Sequence, residues 1–134
     1  MGVRIGYTAA LEQFAPGEAV RLSALAEEHG FDGVMASDRF QPWLPAQGEA
    51  PFVWSVLAAI GERTTGRFGP GATTPTFRMH PAVIAQAAAT LASMYPGRAW
   101  LGVGSGEAVN EHVVGEYWPE PAERITRMFD AIDL

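Results

Sequence analysis

The stretch Ser37-Asp38-Arg39-Phe40-Gln41-Pro42-Trp43 sets a carboxylate, a guanidinium and aromatic rings directly after the apolar run Gly33-Val34-Met35-Ala36. Polar groups among aromatic walls are the usual make-up of a small-molecule pocket; the competing description is a solvated loop with an ion pair. Further polar groups follow the other strand-like runs: Thr8 after the first, Thr73 and Thr74 after the third, and Ser105, Glu107 and Asn110 after the fourth. If those runs are parallel strands, these groups collect at the C-terminal ends of the strands, where ligands bind in such architectures. Gly102-Val103-Gly104-Ser105-Gly106-Glu107 is not a dinucleotide fingerprint, because its third glycine falls one residue short of the GxGxxG spacing and the motif does not open the chain. Its glycines would instead let a flat ring approach the backbone closely, with Glu107 and Asn110 supplying polar contacts; a plain strand-to-helix turn is the alternative.

Other reactive residue types are less suggestive. His29, His80 and His112 are scattered, and none sits with carboxylates at metal-ligand spacing, so no metal site is expected. His29 reads as part of a helix C-terminus, and His80 and His112 as surface groups. Trp43 and Trp54 are candidates to wall a pocket, with the core as the alternative place for either. Arg78, before Met79-His80-Pro81, reads as a surface charge, with an anion contact as the alternative.

The elements that would position these groups alternate. Val3-Arg4-Ile5-Gly6-Tyr7-Thr8 is a first strand; Pro16 opens a helix whose apolar residues Ala19, Val20, Leu22, Leu25 and Ala26 recur at helical spacing up to Gly30. After the second strand, at 33–36, a helix is expected over 52–63. The third strand, 67–74, contains Pro70 with Gly69 and Gly71, which predicts a bulge or unusual backbone. Pro81 opens an Ala-rich helix to Met94, Ala99-Trp100-Leu101-Gly102-Val103 is a fourth strand, and a last helix covers 121–134. Strand starts near 3, 33, 67 and 99 are about 30 residues apart, the length of one strand-helix unit. The fold class is therefore α/β with a parallel sheet, either an open doubly wound sheet or part of a closed barrel.

The 134 residues suit one domain, and 48% hydrophobic against 18% charged residues places the chain among globular proteins. A net charge of −6 with 9 Lys and Arg leaves no basic stripe for nucleic acid or an anionic membrane. The absence of Cys removes disulfide and thiolate chemistry, and with no long apolar segment the expectation is a cytoplasmic protein.

Asp38-Arg39-Phe40-Gln41-Pro42-Trp43, Thr74-Pro75-Thr76-Phe77-Arg78 and Gly104-Ser105-Gly106-Glu107-Ala108-Val109-Asn110-Glu111 together resemble the coenzyme F420 (deazaflavin)-dependent glucose-6-phosphate dehydrogenase group of the luciferase-like superfamily. Glu12-Gln13-Phe14-Ala15-Pro16 and Pro81-Ala82-Val83-Ile84-Ala85-Gln86-Ala87 are also similar to the family pattern. The resemblance implies a TIM barrel and hydride transfer between a substrate carbon and C5 of the deazaflavin, with a flavin mononucleotide (FMN)-dependent relative as the close alternative. It implies that Asp38, Thr74, Ser105 and Asn110 contact the cofactor, that Gly71-Ala72 forms a non-prolyl cis peptide behind its ring, that Trp43 lines the substrate pocket and that Glu107 does acid/base work. It also makes a small-molecule substrate, such as a sugar phosphate, the expected partner.

Two departures qualify this. Arg39 stands where the family has the His that handles the substrate hydroxyl proton; a guanidinium binds or polarises an oxygen but is no general base. The family's residues for the substrate phosphate lie beyond residue 134, and four strand-helix units are half of the eight in a barrel of roughly 250 residues. The expectation is a half barrel that is either a fragment or closed by a second copy, as a dimer, since open parallel edges are a liability; a non-catalytic half that self-associates through those edges is the alternative to an enzyme.

Overall fold

The computed structural model describes residues 2–134. Strands β1 (Tyr7–Ala9), β2 (Gly33–Ala36) and β3 (Arg67–Pro70) form a parallel sheet in the order β1-β2-β3. Tyr7 pairs with Val34 and Val34 with Phe68, while Ala9 pairs with Ala36 and Ala36 with Pro70. Because side chains alternate along a strand, this register puts Ala9, Val34, Ala36 and Phe68 on one buried face, and turns Thr8 and Met35 to the other, where both are exposed.

Helices α1 (Pro16–Glu28), α2 (Val53–Arg63) and α3 (Pro81–Met94) cover the buried face. One cluster joins Leu11, Ala19, Val53, Leu57, Ile60, Ile84 and Leu91 to the strand residues. Leu57 and Ile60 are fully buried, and each contributes about 1.5–3 kcal/mol. Pro16 and Pro81 occupy the first helical turn, where a missing N–H costs nothing. Tyr95, just past α3, packs edge-on against Phe68 at 5.3 Å and hydrogen-bonds through its hydroxyl to Ala58 and Glu62. Arg98 donates to the carbonyls of Gly61, Thr64 and Gly66, fastening the turn that enters β3.

Several predicted boundaries shift. The first strand is shorter than 3–8, because Ile5 is tied to Asp32 through that residue's side chain as well as its backbone, and Val3 and Ile5 are exposed. β3 ends at Pro70 rather than residue 74. The expected fourth strand at 99–103 is no ladder; it touches β3 and its extension at two bridges, Phe68 with Ala99 and Thr73 with Val103. Five residue steps separate Phe68 from Thr73 but four separate Ala99 from Val103, so one extra residue on the β3 side bulges out, and Pro70 has no N–H to offer there. The approach is close: a β-carbon on Gly69 would strike Trp100, and one on Gly102 would come within 2.5 Å of the Pro70 carbonyl. Short helix α4 (Ala108–Glu111), absent from the expected elements, follows, and α5 (Pro121–Ile132) ends the chain with Ile125, Phe129 and Ile132 about half exposed.

Candidate functional site

The segment after β2 is fastened from three directions. From α4, the Asn110 side-chain oxygen accepts from the Phe40 amide at 3.0 Å and the Gln41 amide at 3.3 Å, and the Gln41 side chain donates to the Val109 carbonyl at 2.7 Å. From the β3 extension, Thr73 Oγ1 donates to Asp38 Oδ2 at 2.5 Å. From the loop before α3, Arg78 Nη2 donates to Asp38 Oδ1 at 2.7 Å. Asp38 is thus almost wholly enclosed, its side chain 1% exposed and both oxygens engaged.

Arg78 also approaches Glu111, with Nε 3.8 Å from Oε1, and its amide donates to Glu111 Oε2 at 3.1 Å. Two buried carboxylates therefore face one guanidinium. Burial pushes the Glu111 carboxyl above its ordinary range; the Arg78 amide and charge pull it back, and Asp38 and Glu107 push it further up.

Arg39 is the centre of a second charged group. Its Nη1 donates to Glu107 Oε2 at 2.8 Å, and its Nε lies 2.6 Å from Glu12 Oε1, an ion-pair distance without hydrogen-bond alignment. Its guanidinium carbon stacks 3.9 Å from the centre of the Trp43 ring. Glu12, on the turn after β1, is buried at 6% exposure, whereas Glu107 is exposed.

A cavity of about 260 Å³ opens between these groups, just below the ~300–1,000 Å³ usual for ligand pockets. Gly71-Ala72 and Gly104-Ser105-Gly106 supply its backbone floor, while Arg39, Thr74, Glu107 and Asn110 wall it. Gly106 sits at φ +83°, which favours glycine, and a β-carbon there would come within 2.9 Å of Thr74 Cγ2. The Gly71–Ala72 peptide is cis, as the resemblance implies. Ser37 Oγ, enclosed at the same cavity, has no hydrogen-bond partner among the described residues.

The residues singled out in the sequence, Asp38, Arg39, Gly71, Ala72, Thr74, Ser105, Glu107 and Asn110, all border this cavity. Trp43 stands behind Arg39 and is not among the lining residues; it is half exposed. Trp54 is buried in the helical layer, away from the site. The reading of Arg78 as a surface charge is wrong: its side chain is 12% exposed, because the loop before α3 folds back over the strand ends and delivers it to Asp38. His80 caps α3, its Nδ1 accepting from the Ala82 amide. The sequence assigned no role to Glu12 or Glu111, although both stand in blocks that resemble the family; Glu12 lies beside buried Leu11 shortly after a strand, and the partner of Glu111, Arg78, is distant in the chain. Among the described residues no three His, Asp or Glu side chains group as metal ligands, and no helix is long and apolar enough to cross a membrane.

Polar side chains gathered around a backbone floor at the C-terminal ends of parallel strands define a small-molecule site of the α/β-barrel type. The luciferase-like monooxygenase family matches residues 2–134, and the chain belongs to that family. It is 50% identical over 134 residues to the F420-dependent glucose-6-phosphate dehydrogenase of Segniliparus rotundus, covering 98% of this chain and 40% of that protein. The enzyme of the same name from Kribbella flavida is 52% identical over 136 residues, 100% of this chain and 41% of its own length. A solved F420-dependent secondary alcohol dehydrogenase, in complex with an F420–acetone adduct, superposes with a TM-score of 0.95 at 37% identity, over 99% of this chain and 41% of that one. The coenzyme F420-dependent tetrahydromethanopterin reductase of Methanopyrus kandleri gives a TM-score of 0.69 at 25% identity, over 87% of this chain and 32% of that one. The chain spans about two-fifths of the length of the curated relatives it matches, and its fold is that of a partial (β/α)8 barrel.

Proposed function

We propose that this chain is the cofactor-binding half of a coenzyme F420-dependent oxidoreductase that acts on a CH–OH or carbonyl carbon. The observation that carries the reading is the cavity itself: a floor of backbone and small residues faced by Arg39 and Glu107, in a chain half identical to F420-dependent dehydrogenases. The residues present suit a flat, polar-edged ring. Gly71-Ala72 and Gly104-Ser105-Gly106 give it a bed without bulky side chains, and the unpartnered Ser37 hydroxyl supplies a donor beside it.

When bound, the deazaflavin supplies a hydride donor or acceptor at C5. The chain's own residues then have separable duties. Thr74 and Ser105 offer hydroxyls at the cavity wall. Asn110 has its oxygen committed to Phe40 and Gln41, so it acts by holding the rim in shape, and Asp38, enclosed by Arg78 and Thr73, acts in the same way. Glu107 Oε2 is bonded to Arg39, and Oε1 is the atom that holds or moves a proton at the site. Trp43 backs the guanidinium against which a substrate oxygen rests.

Titration of the purified chain with F420, followed by absorbance and fluorescence, tests the reading. Saturable perturbation is expected, and none at high cofactor concentration overturns it; a response to FMN instead would make the protein an FMN-dependent relative. The same reading takes residues 1–134 as the first half of a barrel in a cytoplasmic enzyme, with the face carrying Thr8 and Met35 closed by further strands or by a second copy. Sedimentation at several concentrations tests the second copy, with a discrete dimer expected. A sugar phosphate is the first substrate to try, on the names of the relatives.

A further inference from the structure

Glu111 is a buried carboxylate that borders the cavity and has no duty in the chemistry described so far. The charged groups that face it are Arg78 from the loop before α3, Asp38 from the end of β2 and Glu107 from the turn into α4; Arg39 is turned instead to Glu12 and Glu107. Asp38 Oδ1 takes Arg78 Nη2 at 2.7 Å, whereas Arg78 Nε, enclosed and without a hydrogen-bond partner, stops 3.8 Å from Glu111 Oε1. One guanidinium thus serves Asp38 well and Glu111 poorly. The Glu111 carboxyl is pushed above its ordinary range chiefly by burial, in keeping with that geometry. The cavity floor lies against the same side chain, since a β-carbon on Gly106 would come within 3.1 Å of Glu111 Cγ. A flat ligand resting on that floor would strip water from the cavity side of the carboxyl group.

We propose that filling the cavity and protonating Glu111 are coupled, so that a flat polar ligand takes up a proton as it binds and Glu111 is a positioning residue that ties affinity to pH. With Glu111 ionised, Asp38 and Glu111 compete for Arg78, and two carboxylates with one guanidinium leave a net charge of −1 beside the ligand. With Glu111 neutral, the guanidinium belongs to Asp38 alone, this part of the wall carries no net charge, and the Arg78 amide keeps its acceptor at Glu111 Oε2. Loss of cavity water penalises the ionised form only, which moves the carboxyl further up in the filled state. Affinity is therefore greatest at low pH, where Glu111 is protonated whether the cavity is empty or filled. It falls as pH rises past the empty-state value, by up to about tenfold per pH unit, until the filled-state value is passed. The inference deepens the oxidoreductase reading and rests on it only for the identity of the ligand.

Calorimetric titration of the full 134-residue chain with F420, in phosphate and in imidazole buffer at matched pH, reads the protons taken up, because the two buffers differ in ionisation enthalpy. Within the coupled pH window the parent should take up about half to one proton more than Glu111→Gln, and its affinity should fall with pH where that of the variant does not. Protonation of F420 itself is common to both chains and drops out of the difference. Carbon-13 NMR of the Glu111 carboxyl in the parent, assigned through its bonded carbons, tests the same coupling without a variant. Its titration midpoint should lie above the ordinary carboxylate range and rise further when the cavity is filled. Equal proton uptake by the parent and the folded variant, or a midpoint that bound F420 leaves in place, overturns the proposal while the oxidoreductase reading stands. Should FMN bind with the expected uptake and F420 not bind at all, the proposal stands and the F420 reading falls. Failure of both to bind removes both.

Discussion

Replacing Arg78 by methionine probes the enclosed charges that hold the rim together. The Arg78 side chain is 12% exposed, that of Asp38 1% and that of Glu111 2%, so removing the guanidinium strands two carboxylates in a poorly solvated place. Asp38 would keep only the Thr73 hydroxyl, and Glu111 only the residue 78 amide. Breaking a buried pair by deleting one partner costs about 3–5 kcal/mol, because the surviving charge is uncompensated. Against a total stability of about 5–15 kcal/mol for a domain of this size, that is a large fraction. Urea unfolding followed by circular dichroism reads it: with a slope of about 1–3 kcal/mol per molar, the midpoint should fall by about 1–5 M. Arg78→Met combined with Asp38→Asn should regain a large part of the loss, since one stranded charge is gone. A loss below about 1 kcal/mol for the single variant, with an unchanged slope, would mean the carboxylates are solvated and would refute the argument.

Burial raises the Glu111 carboxyl in the folded state, so its contribution to stability is fully present below the ordinary carboxylate value and is lost as pH rises through its folded value. Glu111→Gln, which keeps an acceptor for the Arg78 amide, should therefore gain on the parent as pH rises above the ordinary carboxylate range, as read from urea midpoints at several pH values. Asn110→Leu leaves the Phe40 and Gln41 amides without their acceptor, at about 1–3 kcal/mol, and amide hydrogen exchange should show those two sites losing protection before the core does. Gly106→Val combines a left-handed backbone, costing about 1–2 kcal/mol, with a clash on Thr74, and should lower both Tm and F420 affinity.

Much of the architecture was legible because α1, α2 and α3 carry helical spacing between Pro and Gly punctuation, and all three appear close to their expected bounds. The run at 99–103 misled because continuous apolar character suggests a strand covered on both faces, whereas Leu101 is 45% exposed, its neighbours are only partly buried, and pairing there is interrupted by the bulge opposite. The cavity-lining residues were legible through their common position after strands. Arg78 was not, because a lone arginine before a helix looks the same whether it meets water or the enclosed Asp38, 40 residues away. Glu12 was hidden for the same reason: its partner is set by how two strand-end loops fold toward each other, which local pattern does not encode.

The clamp around Arg39 also constrains the order in which these positions can change over evolutionary time. The Glu12 side chain is 8% exposed, so losing the cation at position 39 first would strand it. Losing Glu12 first leaves Arg39 paired with exposed Glu107, an inexpensive intermediate. Lineages that exchange Arg39 for a neutral residue should therefore pass through a change at position 12, whereas exchange for histidine, which can still carry a proton, can precede it.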